Sequence, residues 1–271
     1  MIPVDFGSFV DKLAEAAGAA SLPFFRTALT PHDKASGGEF DPVTEADRAA
    51  ELAIRGLIQQ SFPTHGIVGE EFGSLRDDAE YVWVIDPIDG TKSFVSGLPL
   101  WGTLIGLLHR GRAVYGMMHQ PFTGETFTGD GEASRWTHAH APPGQDARRL
   151  YARPCEGLDQ ATLMTTSPRL IPERLRPAYA KVEAAARLVR YGGDCYGYCM
   201  VAAGHVDLVI EAGLQPYDIV ALIPIVEGAG GIVTTWDGGD PTKGGAIVAA
   251  GDRRVHQAAL ALLAANDSGP A

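Results

Sequence analysis

Cysteine is scarce in this chain of 271 residues, and Cys155, Cys195 and Cys199 form an odd set with no paired framework, which excludes a disulfide-stapled secreted scaffold. The N-terminus also lacks the basic-then-apolar order of a signal peptide. These absences lead to the expectation of a reducing, cytoplasmic setting. Long apolar runs are missing as well. Ile219 to Val226 is interrupted by Pro224 and falls short of the ~20 residues that a bilayer span requires, so no membrane association is expected. Positive charge is the third shortage: the formal net charge is −11, no basic stripe offsets it, and a nucleic-acid partner is therefore not expected. Repeats and low-complexity segments are absent too.

What remains is an ordinary globular composition, 45% apolar and 20% charged, long enough for one large domain or two closely packed halves with a core that needs no metal staple. Ser8 to Arg26 carries Val10, Leu13, Ala14, Ala17 and Phe24 near helical spacing. Thr44 opens a second helix with Ala46, Ala50, Ile54, Leu57 and Ile58 on one face. The continuous run Tyr81 to Ile85 predicts a strand buried on both faces. Gly102 to Leu108 and Ala113 to Met118 read as a hairpin, with Thr126 to Gly129 as a third strand. The Ala/Pro-rich stretch Ala139 to Gly144 suggests a boundary between halves spanning 1–138 and 145–271. Beyond it the pattern predicts strands at Ala161 to Thr166, Val206 to Ile210, Gly231 to Thr235 and Ala246 to Ala250. Helices are expected at Glu173 to Leu188, Cys195 to Ala203, Tyr217 to Glu227 and Arg253 to Leu263, and Asn266 to Ala271 reads as a frayed tail. The expected class is α/β with layered α+β character, helix and sheet layers alternating.

Acidic residues carry the chemistry. Asp86-Pro87-Ile88-Asp89-Gly90-Thr91 ends the buried strand and so delivers two acids to the carboxyl edge of a sheet, where ligands commonly sit. Two such carboxylates repel each other and resist dehydration, so the arrangement calls for a cation. Mg2+ suits it, because that ion prefers oxygen ligands and completes its shell with water and phosphate oxygens. Each acid also has a purely structural reading. Asp89 can cap a helix starting near Thr91. Glu70, in Gly69-Glu70-Glu71-Phe72-Gly73, can belong to a solvated charge pair. Asp218 can serve a helix dipole, and Asp47 a capping box with Thr44.

In order, Gly-Glu-Glu, Asp-Pro-Ile-Asp-Gly-Thr and an Asp opening a helix that ends in Glu227-Gly228-Ala229-Gly230-Gly231 resemble the signature of the inositol monophosphatase family. Asp41 to Asp47 resembles the family's early segment and Val206 to Gly231 its late one, so the resemblance covers nearly the whole chain. It implies an inositol monophosphatase-like sandwich with two or three Mg2+ ions per site, acting on a small-molecule phosphate ester, in a homodimer. By the same resemblance Glu70, Asp86 and the Ile88 carbonyl would hold one metal, and Asp86, Asp89 and Asp218 a second. Glu70 and Thr91 would orient the attacking water, Asp47 would support Thr91 or a nearby metal, and the amides of Gly90 and Thr91 would grip the phosphate.

Some features depart from ordinary inositol phosphatases. Pro216-Tyr217 precedes Asp218 where those enzymes carry Trp, and Asp194 lies in Gly192-Gly193-Asp194-Cys195 where they carry small neutral residues. With Ser96 to Thr103, these features resemble the histidinol-phosphate phosphatases of the same superfamily, which serve histidine biosynthesis. That resemblance makes Asp194 and Glu211 substrate-contacting residues; alternatively, Asp194 caps the helix at Cys195. Competing readings are weaker. A haloacid dehalogenase loop needs its second acid two residues after the first, whereas Asp86 and Asp89 are three apart; a noncatalytic binding protein would not need the whole ligand set. Cys195 and Cys199 lack the remaining ligands of a zinc site, His138 and His140 supply no metal motif, and Gly228 to Gly231 lacks the spacing of a nucleotide loop.

Overall fold

The computed structural model describes residues 6–27, 32–33, 42–43 and 45–264. Thr44 and the tail Asn266 to Ala271 lie outside the described residues. The elements in chain order are α1 (Phe6–Ser21), β1 (His32–Asp33), β2 (Pro42–Val43), α2 (Glu45–Ser61), β3 (Gly66–Gly69), β4 (Gly73–Leu75), β5 (Tyr81–Asp89), α3 (Thr91–Val95), β6 (Gly102–His109), β7 (Arg112–Gln120), β8 (Glu125–Gly129), β9 (Ser134–His138) and β10 (Ala147–Arg149). There follow β11 (Thr162–Thr165), α4 (Arg176–Ala185), β12 (Leu188–Tyr191), α5 (Cys195–Ala202), β13 (Leu208–Leu214), α6 (Pro216–Ile219), α7 (Leu222–Gly228), β14 (Ile232–Thr235), β15 (Gly245–Ala250) and α8 (Arg253–Ala264).

β10-β9-β8-β7-β6-β5-β3-β4 form an eight-stranded sheet, and β12-β11-β13-β15-β14 a five-stranded one. Apolar periodicity dictates how they stack. Val10, Leu13 and Ala17 of α1 and Ala50, Ile54 and Ile58 of α2 recur every third or fourth residue, and they pack on Trp83, Ile85, Ile105, Leu107 and Met117 from one face of the larger sheet. The alternate residues Leu104, Met118 and Phe127 face the other way, onto α5 and α7. Those helices also cover Val209, Val233, Ile247 and Ala249 of the smaller sheet. The smaller sheet's far face, with Leu163, Leu208, Ile210 and Val248, packs on Tyr179 and Val182 of α4 and Val255, Ala259 and Leu263 of α8. The result is a helix–sheet–helix–sheet–helix sandwich, the layered mixed class expected.

Several elements differ from their sequence expectation. The strand predicted over Tyr81 to Ile85 continues through Asp89, with an irregularity in pairing between Asp86 and Asp89. The helix predicted over Glu173 to Leu188 is confined to Arg176–Ala185, and Leu188–Tyr191 is instead a strand paired parallel to β11. The helix predicted from Tyr217 to Glu227 is interrupted at Val220 and Ala221. Pro224 has no N–H for the carbonyl four residues before it, that of Val220, so the break falls where the ladder loses a bond.

This broken segment lies unusually close to the larger sheet. Gly106, Gly116 and Gly129 are register partners on adjacent strands β6, β7 and β8. A Cβ on Gly106 would meet Val220 Cγ1 at 2.8 Å, one on Gly116 would overlap the Ala221 carbonyl, and one on Gly129 would overlap the Pro224 carbonyl. A row without side chains thus forms the bed on which the chain between Asp218 and α7 rests. Gly116→Ala is expected to destabilise the fold by at least ~2 kcal/mol through overpacking. Gly56→Ala, at an exposed α2 position where a Cβ meets nothing within 4 Å, is expected to stabilise it by up to ~1 kcal/mol. Urea unfolding of both variants checks the pair; equal costs would refute the close-approach argument.

Candidate active site

Three chain segments converge at the carboxyl edge of β3 and β5. The two strands run parallel with Gly69 opposite Ile85, so Glu70 and Asp86 leave the sheet side by side, and the Glu70 amide donates to the Ile85 carbonyl at 3.2 Å. Strand alternation places Asp86 on the face of Val82 and Val84, which pack on Val220, and this face looks toward the segment bearing Asp218. Asp86 is buried, and its Oδ1 accepts the Ile88 amide at 3.0 Å. The turn after it is held by Thr103 Oγ1 donating to the Pro87 carbonyl at 2.8 Å and by Thr91 Oγ1 donating to the Ile88 carbonyl at 3.1 Å. Gly90 adopts φ 87°, and a Cβ there would meet the Leu100 carbonyl oxygen at 2.8 Å, so glycine is required on two grounds.

Carboxylate oxygens of Asp86, Asp89 and Asp218 all lie within 4.8 Å of one another. Burial, followed by the charges of Glu70, Asp89, Asp218 and Asp47, pushes the Asp86 carboxyl well above the usual range. Burial and the charges of Asp194 and Asp218 do the same to Asp89. Asp218 is pushed up to about 7, chiefly by burial. A cluster of hard oxygen donors that repel one another fits a Mg2+-type cation, which restores their ionised state by neutralising them.

Glu70, Asp86, Ile88, Asp89, Gly90, Thr91, Asp194, Glu211 and Asp218 line a single cavity of about 430 Å³. Asp47 is not on its wall; it is buried on α2 and acts on Asp86 through its charge. Two capping expectations need correction. Gly90, not Asp89, is the N-cap of α3, and no side-chain cap is formed there. Asp194 occupies the N-cap position of α5 but makes no capping bond; the Asp89 Oδ2 accepts the Cys195 amide instead, at 2.7 Å. Asp194 holds a left-handed φ of 44°, costly for a non-glycine residue, and accepts a hydrogen bond from Ser93 Oγ at 3.2 Å. The helix-start reading of Asp218 holds in part, since its Oδ2 closes a capping box on the Gln215 amide at 2.6 Å.

Glu211 accepts from the Thr166 amide at 2.9 Å, from Thr166 Oγ1 at 2.5 Å and from Tyr198 OH at 3.1 Å. Burial raises the carboxyls of both Asp194 and Glu211. Sequence reasoning missed Lys92, Thr166 and Tyr198 on the cavity wall. Lys92 had one available signal, its place directly after Gly90-Thr91.

An acidic cleft at a sheet edge of a layered sandwich, with three carboxylates gathered in it, is the arrangement a metal-dependent phosphatase requires. The chain belongs to the inositol monophosphatase family, whose profile it matches over residues 7–268. It is 42% identical over 267 residues to the bifunctional phosphatase IMPL2, chloroplastic, of Arabidopsis thaliana, covering 94% of this chain and 74% of that protein. It is 36% identical to a histidinol-phosphatase of Chlorobaculum parvum, covering 81% of this chain and 82% of that one. A Nus factor SuhB of Pasteurella multocida is 35% identical, with 80% of each chain covered. Among solved structures, an inositol monophosphatase from Zymomonas mobilis superposes with a TM-score of 0.83 at 38% identity, covering 96% of this chain and 99% of that one. Among the described residues no helix is long and apolar enough to cross a membrane.

The raised carboxyls fix the sign of a pH effect. Without metal, the carboxyls of Asp86, Asp89 and Asp218 are raised above the 3.8 of the unfolded chain, so these groups cost stability as pH rises above about 4, in the case of Asp218 up to about 7. His119, pushed down to about 4 by burial, titrates with the opposite sign, so the informative quantity is the stabilisation gained on adding Mg2+. That gain in melting temperature is expected to be larger at about pH 8 than at about pH 5.5, because metal displaces protons. Equal gains at the two values would show that the cluster is not where Mg2+ binds.

Proposed function

We propose that the chain hydrolyses histidinol phosphate to histidinol and inorganic phosphate by direct attack of water. The observation that carries this reading is the placement of Asp194, on the wall of the cavity that holds the acidic cluster and excused from helix capping. Asp194 is half-buried and Glu211 buried, burial raises both carboxyls, and a substrate bearing an ammonium and an imidazole brings positive charge to them. A neutral cyclitol does not. Relatives named histidinol-phosphatase support the same choice.

Glu70, Asp86, Asp89, Asp218 and the Ile88 carbonyl would hold Mg2+, two or three ions per site. When bound, these ions neutralise the acids, polarise the phosphate and lower the pKa of water. Glu70 and Thr91 orient the attacking water, and Glu70 takes its proton. Asp47, buried behind the site, supports Thr91 and the charge balance. The amides of Gly90 and Thr91 hold the phosphate oxygens, and the left-handed Gly90 keeps the cradle clear of a side chain. As the new bond forms from water oxygen to phosphorus, the ester P–O bond breaks, the histidinol oxygen takes a proton from a water molecule, and Glu70 returns its own proton to solvent. No covalent enzyme intermediate is involved.

An inositol phosphate substrate is the second reading, favoured by the 38% identity to the Zymomonas mobilis enzyme. The two are separated by kcat/KM for each substrate in the parent and in Asp194→Asn, at matched folded fraction. Loss of a charge-assisted hydrogen bond worth roughly 1.5–3 kcal/mol is expected to lower efficiency on histidinol phosphate about 10- to 150-fold while leaving inositol phosphate nearly unchanged. A ratio that does not move would exclude Asp194 from substrate recognition. Asp86→Asn is expected to abolish Mg2+-dependent turnover of either ester; full activity of that variant would overturn the metal assignment.

A further inference from the structure

α2 packs with Ala50, Ile54 and Ile58 inward, yet it also buries a charged pair one turn apart, Glu51 and Arg55. Glu51 is fully buried, and both of its oxygens are directed at the turn that carries Glu70. Its Oε2 accepts the Glu71 amide at 2.7 Å and its Oε1 the Phe72 amide at 3.2 Å. Arg55 Nε donates to Glu51 Oε1 at 2.7 Å, and Arg55 Nη2 donates to the Gly73 carbonyl. One turn earlier on α2, the Arg48 guanidinium sits 5.1 Å from the centre of the Phe72 ring. Gly69, immediately before Glu70, has no room for a side chain, since a Cβ there would overlap Glu51 Oε1 and approach Arg55 Nη2 at 2.8 Å.

The turn between β3 and β4 is too short to fix itself. The amides of Glu71 and Phe72 and the carbonyl of Gly73 are instead all bonded by side chains of α2. Glu51 supplies the acceptors and Arg55 the donor, and Arg55 at the same time neutralises the carboxylate that burial would otherwise penalise. On the other side Glu70 is tied to Ile85, the residue before Asp86. We propose that Glu51 is a positioning residue for Glu70: α2 clamps the turn from behind so that the Glu70 carboxylate is presented to the cluster at a fixed depth. This inference rests on the role given to Glu70 in the proposed reaction. The carboxylate is needed in its full form, because an amide in its place turns one acceptor into a donor facing an N–H.

The test is Glu51→Gln, equal in size, combined with Glu70→Gln in a double-mutant cycle read by kcat, KM and the Mg2+ concentration for half activation. Partners of this kind typically carry 10- to 100-fold in metal affinity or activity. The expected result is a roughly tenfold fall in kcat and a roughly tenfold rise in the Mg2+ requirement, with KM nearly unchanged. In the Glu70→Gln background, Glu51→Gln is expected to add little, since it acts through the group already removed. Amide exchange is expected to accelerate at Glu71 and Phe72 and not in β6 or β7. If Glu51→Gln folds poorly, Arg55→Lys gives the same readout, because lysine cannot reach Glu51 and Gly73 together. Parent-like kcat and Mg2+ dependence, or fully additive effects in the cycle, would overturn the inference while leaving the role of Glu70 intact. Parent-like turnover in Glu70→Gln alone would instead remove that role, and the inference with it.

Discussion

Mutual repulsion among buried carboxylates is the constraint on which this architecture turns. Asp86 and Asp89 come from one strand end and Asp218 from a distant helix start, and each is raised first by burial and then by neighbouring carboxylates, Glu70, Asp194 and Glu211 among them. Left to themselves they would move apart or keep their protons. The fold therefore has to hold the backbone of every contributor more firmly than the charges push, and much of its irregularity serves that end. The pairing irregularity between Asp86 and Asp89 lets two acids three residues apart reach one cluster, the capping box fixes Asp218 against Gln215, and the row of glycines on β6, β7 and β8 lets the α6–α7 segment settle directly on the sheet.

Each of the three carboxylates accepts a backbone amide while it also contributes an oxygen to the cluster. Asp86 uses Oδ1 on the Ile88 amide, Asp89 uses Oδ2 on the Cys195 amide, and Asp218 uses Oδ2 on the Gln215 amide. Amide donors stabilise the ionised form without neutralising it, so the cluster stays poised for a cation.

How much of this was legible depended on where the signal lay. The run Tyr81 to Ile85 followed at once by acids read directly as a strand ending in a site, because a both-faces-buried strand has a distinctive pattern. Glu70 was different. Adjacent glutamates look like a solvated pair, and only the order of motifs singled it out. β9 and β10 escaped notice, since Ser134 to His138 and Ala147 to Arg149 are short, largely polar segments near one end of the sheet. The helix expected over Glu173 to Leu188 took in the first residue of β12 because Leu188 continues its apolar spacing, Val189 to Tyr191 went unassigned, and only pairing with β11 makes the segment a strand. Glu51 and Arg55 were invisible for a plainer reason. An i,i+4 acid–base pair has the same sequence appearance on a wet surface and under a turn, and tertiary packing alone distinguishes the two.

The bond from Asp89 to the first amide of α5 joins the two sheets' territories through a single carboxylate. The carboxylate that joins the acidic cluster thus also anchors the residue that follows Asp194, so an ion bound at Asp89 and a ligand bound beside Asp194 would act on one residue. By thermodynamic reciprocity, whatever factor a bound cation contributes to affinity for the organic half of the substrate, that organic half returns to the cation. Measured ion affinities for this enzyme are then properties of a particular ligand state, and two substrates of equal charge on phosphorus can draw the same ion with different strength.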